Sequence, residues 1–201
     1  LGANTTASSN TAVGSNALLV NTTGNLLAAF GDDALASNTT GARNTALGRN
    51  ALNANTTGDG NTAVGNNALA VATTADENVA VGRNAMNATT TGTDNVAVGS
   101  YALDANTTGS NNIAIGDNAA GATTTGGNNT AVGSNALLVN STGSGNVAIG
   151  DYTLDANTTA AYNTAVGYAA LGANTTGTGN TAVGKATLLV ATASNNTAVG
   201  L

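Results

Sequence analysis

Residues 163–177 read NTAVGYAALGANTTG, and variants of this motif follow one another along the chain. The glycine that ends each Ala-Val-Gly-like segment recurs every 17 residues from Gly14 to Gly184, and only the last step, to Gly200, is 16 residues long. The consensus repeat is NTAVGxxALxxNTTGxx. A strict period of this length indicates a solenoid, in which each repeat forms one coil that stacks on the next.

The NTAVG part of each repeat has the alternation of a short extended strand. In residues 61–65, Thr62 and Val64 share one face and Ala63 lies on the other. The middle residue is alanine in every repeat, which indicates that another backbone approaches this face closely. The leading asparagine is placed to pass side-chain amide hydrogen bonds from coil to coil. The predicted structural ladders include Ala63, Ala80, Ala97, Val64, Val81, Val98, Asn61, Asn78 and Asn95.

The rest of the repeat contains two turns. The GxxAL segment predicts a turn that leads into a second short strand. In the NTTG segment we expect the asparagine to cap its own backbone and the glycine to adopt positive φ. The sequence therefore predicts an all-β fold, a parallel β-solenoid (β-roll) of about twelve 17-residue coils. With coils about 4.8 Å apart, residues 1–201 would form a single rod about 55 Å long.

The composition argues against several classes of function. The 201 residues include no His, Cys, Trp or Pro, and charged residues make up 7% of the chain. Without His or Cys the chain has no histidine-dependent triad, thiol nucleophile or common zinc site, so we expect no enzyme and no cofactor. Four Lys and Arg residues are too few to neutralise a nucleic-acid backbone. No apolar run approaches the roughly 20 residues that a membrane-spanning helix needs.

The aliphatic residues opposite the strand alanines allow two arrangements. If Ala and Gly line the coil interior, the larger residues point outward in one long apolar stripe. Such a stripe exceeds the few hundred Å² that a monomer usually exposes, and self-association would bury it. If Val and Leu fill the interior instead, alanine faces outward and the chain is a soluble monomer. The invariance of alanine favours the first arrangement and, with it, a homo-oligomer.

Two repeats carry a resemblance to a known family. Residues 112–116 (NIAIG) and 146–150 (NVAIG) resemble the N-S-V-A-I-G-x-x-S repeat of YadA-like trimeric autotransporter adhesin heads, whose coil is shorter. The unit at 163–177 is similar to repeats of tail-fibre-like proteins of phages and bacteria. The resemblance covers the whole chain. It implies a left-handed roll, a homotrimer, an extracellular location on a cell surface or virion, and a longer fibre protein of which residues 1–201 are one segment.

Few side chains are candidates for ligand binding. The four tyrosines, Tyr101, Tyr152, Tyr162 and Tyr168, lie in predicted turns, and Tyr101 and Tyr152 share one repeat position. Exposed tyrosines could stack on the sugars of a host-surface glycan. The acid pairs at residues 32–33 and 76–77 occupy variable turn positions, where we expect solvated residues rather than a catalytic pair. Asp117 and Asp151 share the repeat position of Asp32 and could bind calcium between coils, but the glycine-aspartate spacing of calcium-binding nonapeptide repeats is absent. The turn asparagines lie in Asn-x-Ser/Thr sequons, so glycan attachment is an alternative to a purely structural role for Asn21, Asn38, Asn55, Asn106, Asn140, Asn157 and Asn174.

The leading functional hypothesis is a structural repeat segment of a surface fibre or adhesin. In this role the chain serves as a rigid rod and as an attachment surface for a glycan or protein receptor on a host surface. The alternative hypothesis is an ice-binding solenoid in which Thr22, Thr39 and Thr56 begin a regular threonine ladder on a flat face.

Overall fold

The computed structural model describes residues 2–189 and 193–200, which form twelve three-residue strands in one parallel sheet and contain no helix. The strands lie in the sheet in chain order, and each residue pairs with the residue 17 positions further on, or 16 at the last step. This confirms the predicted parallel β-solenoid and its tandem repeat. The strands are β1 Thr11–Val13, β2 Ala28–Phe30, β3 Thr45–Leu47, β4 Thr62–Val64, β5 Val79–Val81, β6 Val96–Val98, β7 Ile113–Ile115, β8 Thr130–Val132, β9 Val147–Ile149, β10 Thr164–Val166, β11 Thr181–Val183 and β12 Thr197–Val199.

The strand alanines face the coil interior. Ala63, Ala80 and Ala97 are fully buried and stand opposite one another in register across β4, β5 and β6. The residues on either side of each alanine point outward, as the period of two along a strand requires. The interior of the rod is therefore narrow and lined by small side chains, and the aliphatic stripe is on the outside.

The GxxAL segment forms a wide turn, so the predicted second strand is wrong. In a strand Ala51 and Leu52 would face opposite sides, yet both are fully buried. Leu52 adopts a φ of 50°, and this left-handed backbone turns its side chain inward beside that of Ala51. The same geometry recurs at the corresponding leucines of other coils, and it supplies the large side chains of the core.

The two glycines of the repeat serve different purposes. Gly65 has a φ of +134°, and a Cβ there would lie 2.5 Å from the carbonyl oxygen of Gly82 in the next coil. Gly58, in the NTTG turn, is absent from the residues with positive φ, so the expectation of positive φ at this turn is wrong. Glycine is required there because a Cβ would lie 2.5 Å from Oδ1 of Asn55 and still closer to the backbone of Ala75.

The asparagines that precede the strands form the predicted ladder inside the rod. The Asn78 side-chain amide donates to Oδ1 of Asn61 (3.1 Å) and to the Gly92 carbonyl (2.9 Å), and its backbone N–H donates to the same Oδ1 (3.0 Å). Asn95 repeats this pattern on Asn78 at 3.1 Å and 3.0 Å. Leu27 replaces the asparagine in one coil and interrupts the ladder, although its backbone N–H still donates to Oδ1 of Asn10 (2.9 Å).

Backbone hydrogen bonds join neighbouring coils in the turns as well as in the strands. The N–H of Leu52 donates to Ala68 in the next coil (3.0 Å), whereas the N–H of Asn67 donates back to Arg49 in the preceding coil (3.0 Å). Each coil is thus held to both of its neighbours around most of its circuit, so the described rod is one continuous body.

Candidate functional site

The outward strand face carries an aliphatic stripe along all twelve strands. One of its two rows holds Val, Ile, Leu or Phe in every strand, including the predicted Val64, Val81 and Val98. Exposed members of this row range from Val98, 37% exposed, to Val199, 76% exposed. The second row is Thr in seven strands, Ala28 in β2, and Val or Ile in β5, β6, β7 and β9. We call this surface the strand-face stripe.

The sequon asparagines lie inside the rod, so the glycan-attachment alternative is wrong for the folded chain. Asn21, Asn38 and Asn55 are fully buried. Each side-chain amide caps its own turn by donating to the glycine carbonyl three residues later, at 3.0–3.1 Å. Asn38 and Asn55 also donate to Oδ1 of the turn asparagine in the preceding coil, at 2.8 Å and 2.7 Å. These residues therefore form a second internal ladder, which the sequence analysis did not foresee.

In the threonine ladder of the ice-binding alternative, the hydroxyls form hydrogen bonds with the backbone. Thr22, Thr39 and Thr56 are half-buried, and each hydroxyl donates to the backbone carbonyl of the equivalent threonine in the next coil, at 2.9–3.0 Å. The following threonine of each turn is exposed in ten consecutive coils, and no intrachain hydrogen bond involves its hydroxyl within the described residues. We call this the outer threonine row: Thr23, Thr40, Thr57, Thr74, Thr91, Thr108, Thr125, Thr142, Thr159 and Thr176.

The tyrosines differ in their surroundings even where they share a repeat position. The Arg83 guanidinium carbon lies 4.6 Å from the centroid of the Tyr101 ring, which is a cation–π contact. Tyr152 instead meets Tyr168 edge to face, with ring centroids 5.9 Å apart. Tyr162 is 74% exposed. The sequence identified all four tyrosines as turn residues, but it did not predict the contact between Tyr152 and Tyr168, which the stacking of neighbouring coils creates.

The charged residues lie on the surface of the rod and form no cluster of three or more acids that could hold a metal ion within the described residues. Arg43 pairs with Asp59 at 3.1 Å and Arg49 with Asp32 at 3.7 Å. Both pairs are largely exposed, so each contributes little to stability. The acid pairs at residues 32–33 and 76–77 contain only exposed or half-buried side chains, which agrees with their expected role as solvated turn residues.

Two carboxyl groups have shifted pKa values. Partial burial raises the pKa of Asp104 above its usual range, while the backbone N–H groups of Ala105 and Asp104 itself oppose the shift. The pKa of Asp155, three coils later, is raised for the same reason. Each carboxylate lies beside a glycine of the next coil: a Cβ at Gly121 would be 3.5 Å from Asp104 Oδ1, and one at Gly172 would be 3.2 Å from Asp155 Oδ1.

Comparisons with known proteins give no relative: no family model, no curated protein and no solved structure matches this chain. The described residues include no helix that is long and apolar enough to cross a membrane. No pocket opens in the described part of the rod. The candidate sites are therefore surfaces: the strand-face stripe, the outer threonine row and the corner that carries Tyr152 and Tyr168.

Proposed function

We propose that this chain is a structural segment of an extracellular fibre, of the adhesin-head or tail-fibre kind, that acts as a rigid rod and assembles as a homotrimer. The observation that carries the proposal is the strand-face stripe, which runs along the whole sheet with its aliphatic side chains exposed or half-buried. Water-exposed aliphatic surface of this extent favours association, and three copies that turn their stripes toward a common axis would cover it.

The internal ladders support the role of a rod. Bending the solenoid would stretch the coil-to-coil hydrogen bonds of the buried asparagines, such as that from Asn78 to Asn61 (3.1 Å). The stripe residues, by contrast, make no such internal bonds and are available for assembly. The proposal includes no catalytic role, because the chain has neither His nor Cys and its described residues place no paired acids inside a pocket.

Sedimentation equilibrium tests the assembly. The wild-type chain is expected to sediment at three times its mass of 19.0 kDa. The double variant Val98→Lys/Ile115→Lys places two charges on adjacent strands of the stripe, where assembly would bury them, so we expect a folded monomer. The matched control is Thr108→Lys/Thr125→Lys, which places two charges on adjacent coils of the outer threonine row. It should remain a trimer.

The outcomes separate the parts of the proposal. A wild-type monomer with a cooperative thermal transition would overturn self-association. A trimer that both double variants leave intact would move the interface away from the strand-face stripe. A dimer would retain the stripe as an interface and overturn the threefold assembly.

Ice binding is a second candidate, favoured by the outer threonine row. Its hydroxyls are exposed and free of intrachain hydrogen bonds, and they repeat once per coil along one side of the rod. Such an array can order water through many weak, regularly spaced hydrogen bonds. Thermal hysteresis of the purified chain decides the matter: this candidate requires a signal above background that the Thr108→Lys/Thr125→Lys control removes and the Val98→Lys/Ile115→Lys variant keeps.

A further inference from the structure

Tyr152 and Tyr168 form an aromatic corner on the surface of two successive coils. Their ring centroids are 5.9 Å apart and the ring planes meet at 65°, so the pair presents two differently oriented faces. Tyr152 is 44% exposed and Tyr168 is 53% exposed. The other positions of this corner along the rod hold mainly Asn, Ser, Asp and Arg, so the aromatic pair stands out from its surroundings.

The comparison with Tyr101 identifies the rings that are open to a ligand. Tyr101 occupies the same repeat position 51 residues, or three coils, before Tyr152. Its ring is covered by the Arg83 guanidinium at 4.6 Å. The residue that corresponds to Arg83 is Ser134, again 51 residues later, and no cation lies over the Tyr152 ring among the described residues. The chain therefore places a cation over Tyr101, whereas Tyr152 meets the ring of Tyr168 and stays 44% exposed.

Polar groups of opposite charge flank the open rings. Asp151 uses Oδ1 to accept the backbone N–H of Ser134 (2.8 Å), and its Oδ2 has no hydrogen bond within the described residues. Lys185 is exposed one coil beyond Tyr168 in the same row and makes no salt bridge in the described part of the chain. The corner therefore combines two aromatic faces with a free carboxylate oxygen and a free ammonium group.

We propose that the Tyr152–Tyr168 corner binds a pyranose sugar. A pyranose ring has one face of C–H groups, which packs on an aromatic face, and a rim of hydroxyls, which hydrogen-bond to carboxylate, ammonium and phenol groups. Tyrosine suits such a contact because it combines apolar area with a polar tip at low entropic cost. This proposal rests on the proposed function, since it names a ligand for the attachment surface of the rod, and it does not require the rod to be trimeric.

Ring signals of the four tyrosines test the proposal directly. We would label the full chain with ¹³C-tyrosine, assign the signals through Tyr→Phe variants, and titrate with the methyl glycosides of glucose, galactose, mannose and N-acetylglucosamine up to about 50 mM, since stacking contacts of this size give weak affinity. The expected result is a saturable shift of the Tyr152 and Tyr168 signals with at least one glycoside, while Tyr101 and Tyr162 stay unchanged.

Matched alanine variants test whether the shift of the tyrosine signals arises from sugar bound at the Tyr152–Tyr168 corner. Tyr152→Ala should weaken binding by about tenfold or more, as read from the remaining Tyr168 signal. Tyr101→Ala, at the equivalent position, should leave binding unchanged. Equal shifts of all four tyrosines, or no shift with any of the glycosides, would overturn the proposal. Binding by the Val98→Lys/Ile115→Lys variant separates this test from the assembly test, because a monomer that still binds keeps the sugar site and loses only the trimer.

Discussion

At the scale of the residue, the rod depends on backbone conformations that most side chains disfavour. Three residues in most coils have φ between 49° and 69°, and they are often not glycine. One of the three is the core leucine, such as Leu52, which accepts the conformation because it brings a large apolar side chain into the interior. A left-handed residue costs about 1–2 kcal/mol when it has a Cβ. Burial of a leucine side chain offsets this with about 1.5–3 kcal/mol.

The left-handed backbone of Ala169 should be strained without compensation from a large buried side chain. It has a φ of 53° and is only half-buried, and its side chain adds little to the core. Replacing Ala169 with Gly is expected to raise the free energy of unfolding by about 1 kcal/mol. The matched control is Ala173→Gly in the same coil. Ala173 has no positive φ, so the added chain entropy should lower stability by about 0.5–1 kcal/mol.

Denaturant unfolding of the Ala169→Gly and Ala173→Gly variants measures both effects. Each alanine donates its backbone N–H to a neighbouring coil, Ala169 to Asp151 (3.0 Å) and Ala173 to Leu189 (2.9 Å), and glycine retains both bonds. The difference between the variants therefore reports φ alone. Equal destabilisation by both substitutions would contradict the left-handed conformation of Ala169.

Asp104 and Asp155 should make stability fall as pH rises. Partial burial raises the pKa of both carboxyl groups in the folded chain above the usual value of 3.8. Between 3.8 and the raised pKa, the folded state binds more protons than the unfolded state, so stability decreases with increasing pH in that window. The variant Asp104→Asn/Asp155→Asn is expected to be more stable than the wild type at pH 7. This advantage should disappear well below pH 3.8, where both carboxyls are protonated in either state.

Thermal melts of wild type and variant across the acid range provide the measurement. The control is Asp117→Asn/Asp151→Asn, which likewise removes two carboxylates from separate coils but changes neither raised carboxyl. An advantage of the Asp104→Asn/Asp155→Asn variant that is independent of pH would show that the two groups titrate alike in the folded and unfolded chain.

At the scale of the coil, the second internal ladder, formed by the turn asparagines, has two gaps, and each gap should lower the stability of the fold. Oδ1 of Asn55 is buried and has no hydrogen-bond partner among the described residues, and the same is true of Oδ1 of Asn106. In each case the next coil lacks asparagine at the turn: Ala72 follows Asn55, and Thr123 follows Asn106. A buried acceptor without a donor costs about 1–3 kcal/mol.

Ala72→Asn should close the first gap. The new amide is positioned to donate to Oδ1 of Asn55, as Asn55 itself donates to Asn38 at 2.7 Å. It would also cap the carbonyl of Ala75, as Asn157 caps Ala160 at 3.1 Å in a coil that likewise has Ala in place of the turn glycine. We expect the free energy of unfolding to increase by about 1–2 kcal/mol, measured by chemical denaturation.

The control for this substitution is Ala70→Asn in the same coil. Ala70 is half-buried and outside the ladder, at a position where neighbouring coils already carry Asn53 and Asn87. It should change stability by no more than about 0.5 kcal/mol. Destabilisation by Ala72→Asn would mean that the interior at this turn is too narrow for an amide.

The parts of the coil that the sequence could predict are those that obey a simple period. Alternation along NTAVG put Ala63 and Val64 on opposite faces, the invariance of alanine favoured Ala63 inside, and strict repetition of asparagine indicated the ladder through Asn61. The GxxAL segment escaped prediction because a left-handed residue, Leu52, breaks the alternation and turns two consecutive side chains inward. The difference between Tyr101 and Tyr152 escaped it too, since it depends on the neighbour that the preceding coil supplies.

At the scale of the whole molecule, the rod is a stack in which each coil contacts only its neighbours. The sheet order follows the chain without a crossover, and the register is constant from β1 to β11. In such a stack the free energy of unfolding is approximately the sum of the contributions of the single coils and of the interfaces between them. The number of coils is therefore less important than their phase, which is the 17-residue register between neighbouring coils. Removing one full period should therefore be tolerated, and removing part of a period should not.

Deletion of residues 112–128 tests this phase argument, because it removes one coil and joins residue 111 to Asn129. The strand β6 would then pair with β8 in the same register, and Asn129 would take the place of Asn112 on the ladder oxygen of Asn95. Asn140 would become the neighbour of Asn106 and supply the donor that its buried Oδ1 lacks. The shortened chain is expected to fold, to melt cooperatively near the wild-type temperature, and to be shorter by about 4.8 Å.

Deletion of residues 112–119 is the control, because it removes fewer residues but breaks the phase. Strand residues after the junction would then lie beside turn residues of the preceding coil, and alanines that are now buried would move to exposed positions. Oδ1 of Asn95 would also lose the amide donor that Asn112 supplies. We expect circular dichroism to show loss of the cooperative transition in this variant alone, and small-angle scattering to show a compact, shortened rod for the full-period deletion. If the full-period deletion failed to fold while the shorter one folded, the 17-residue circuit would not be the unit that holds the molecule together.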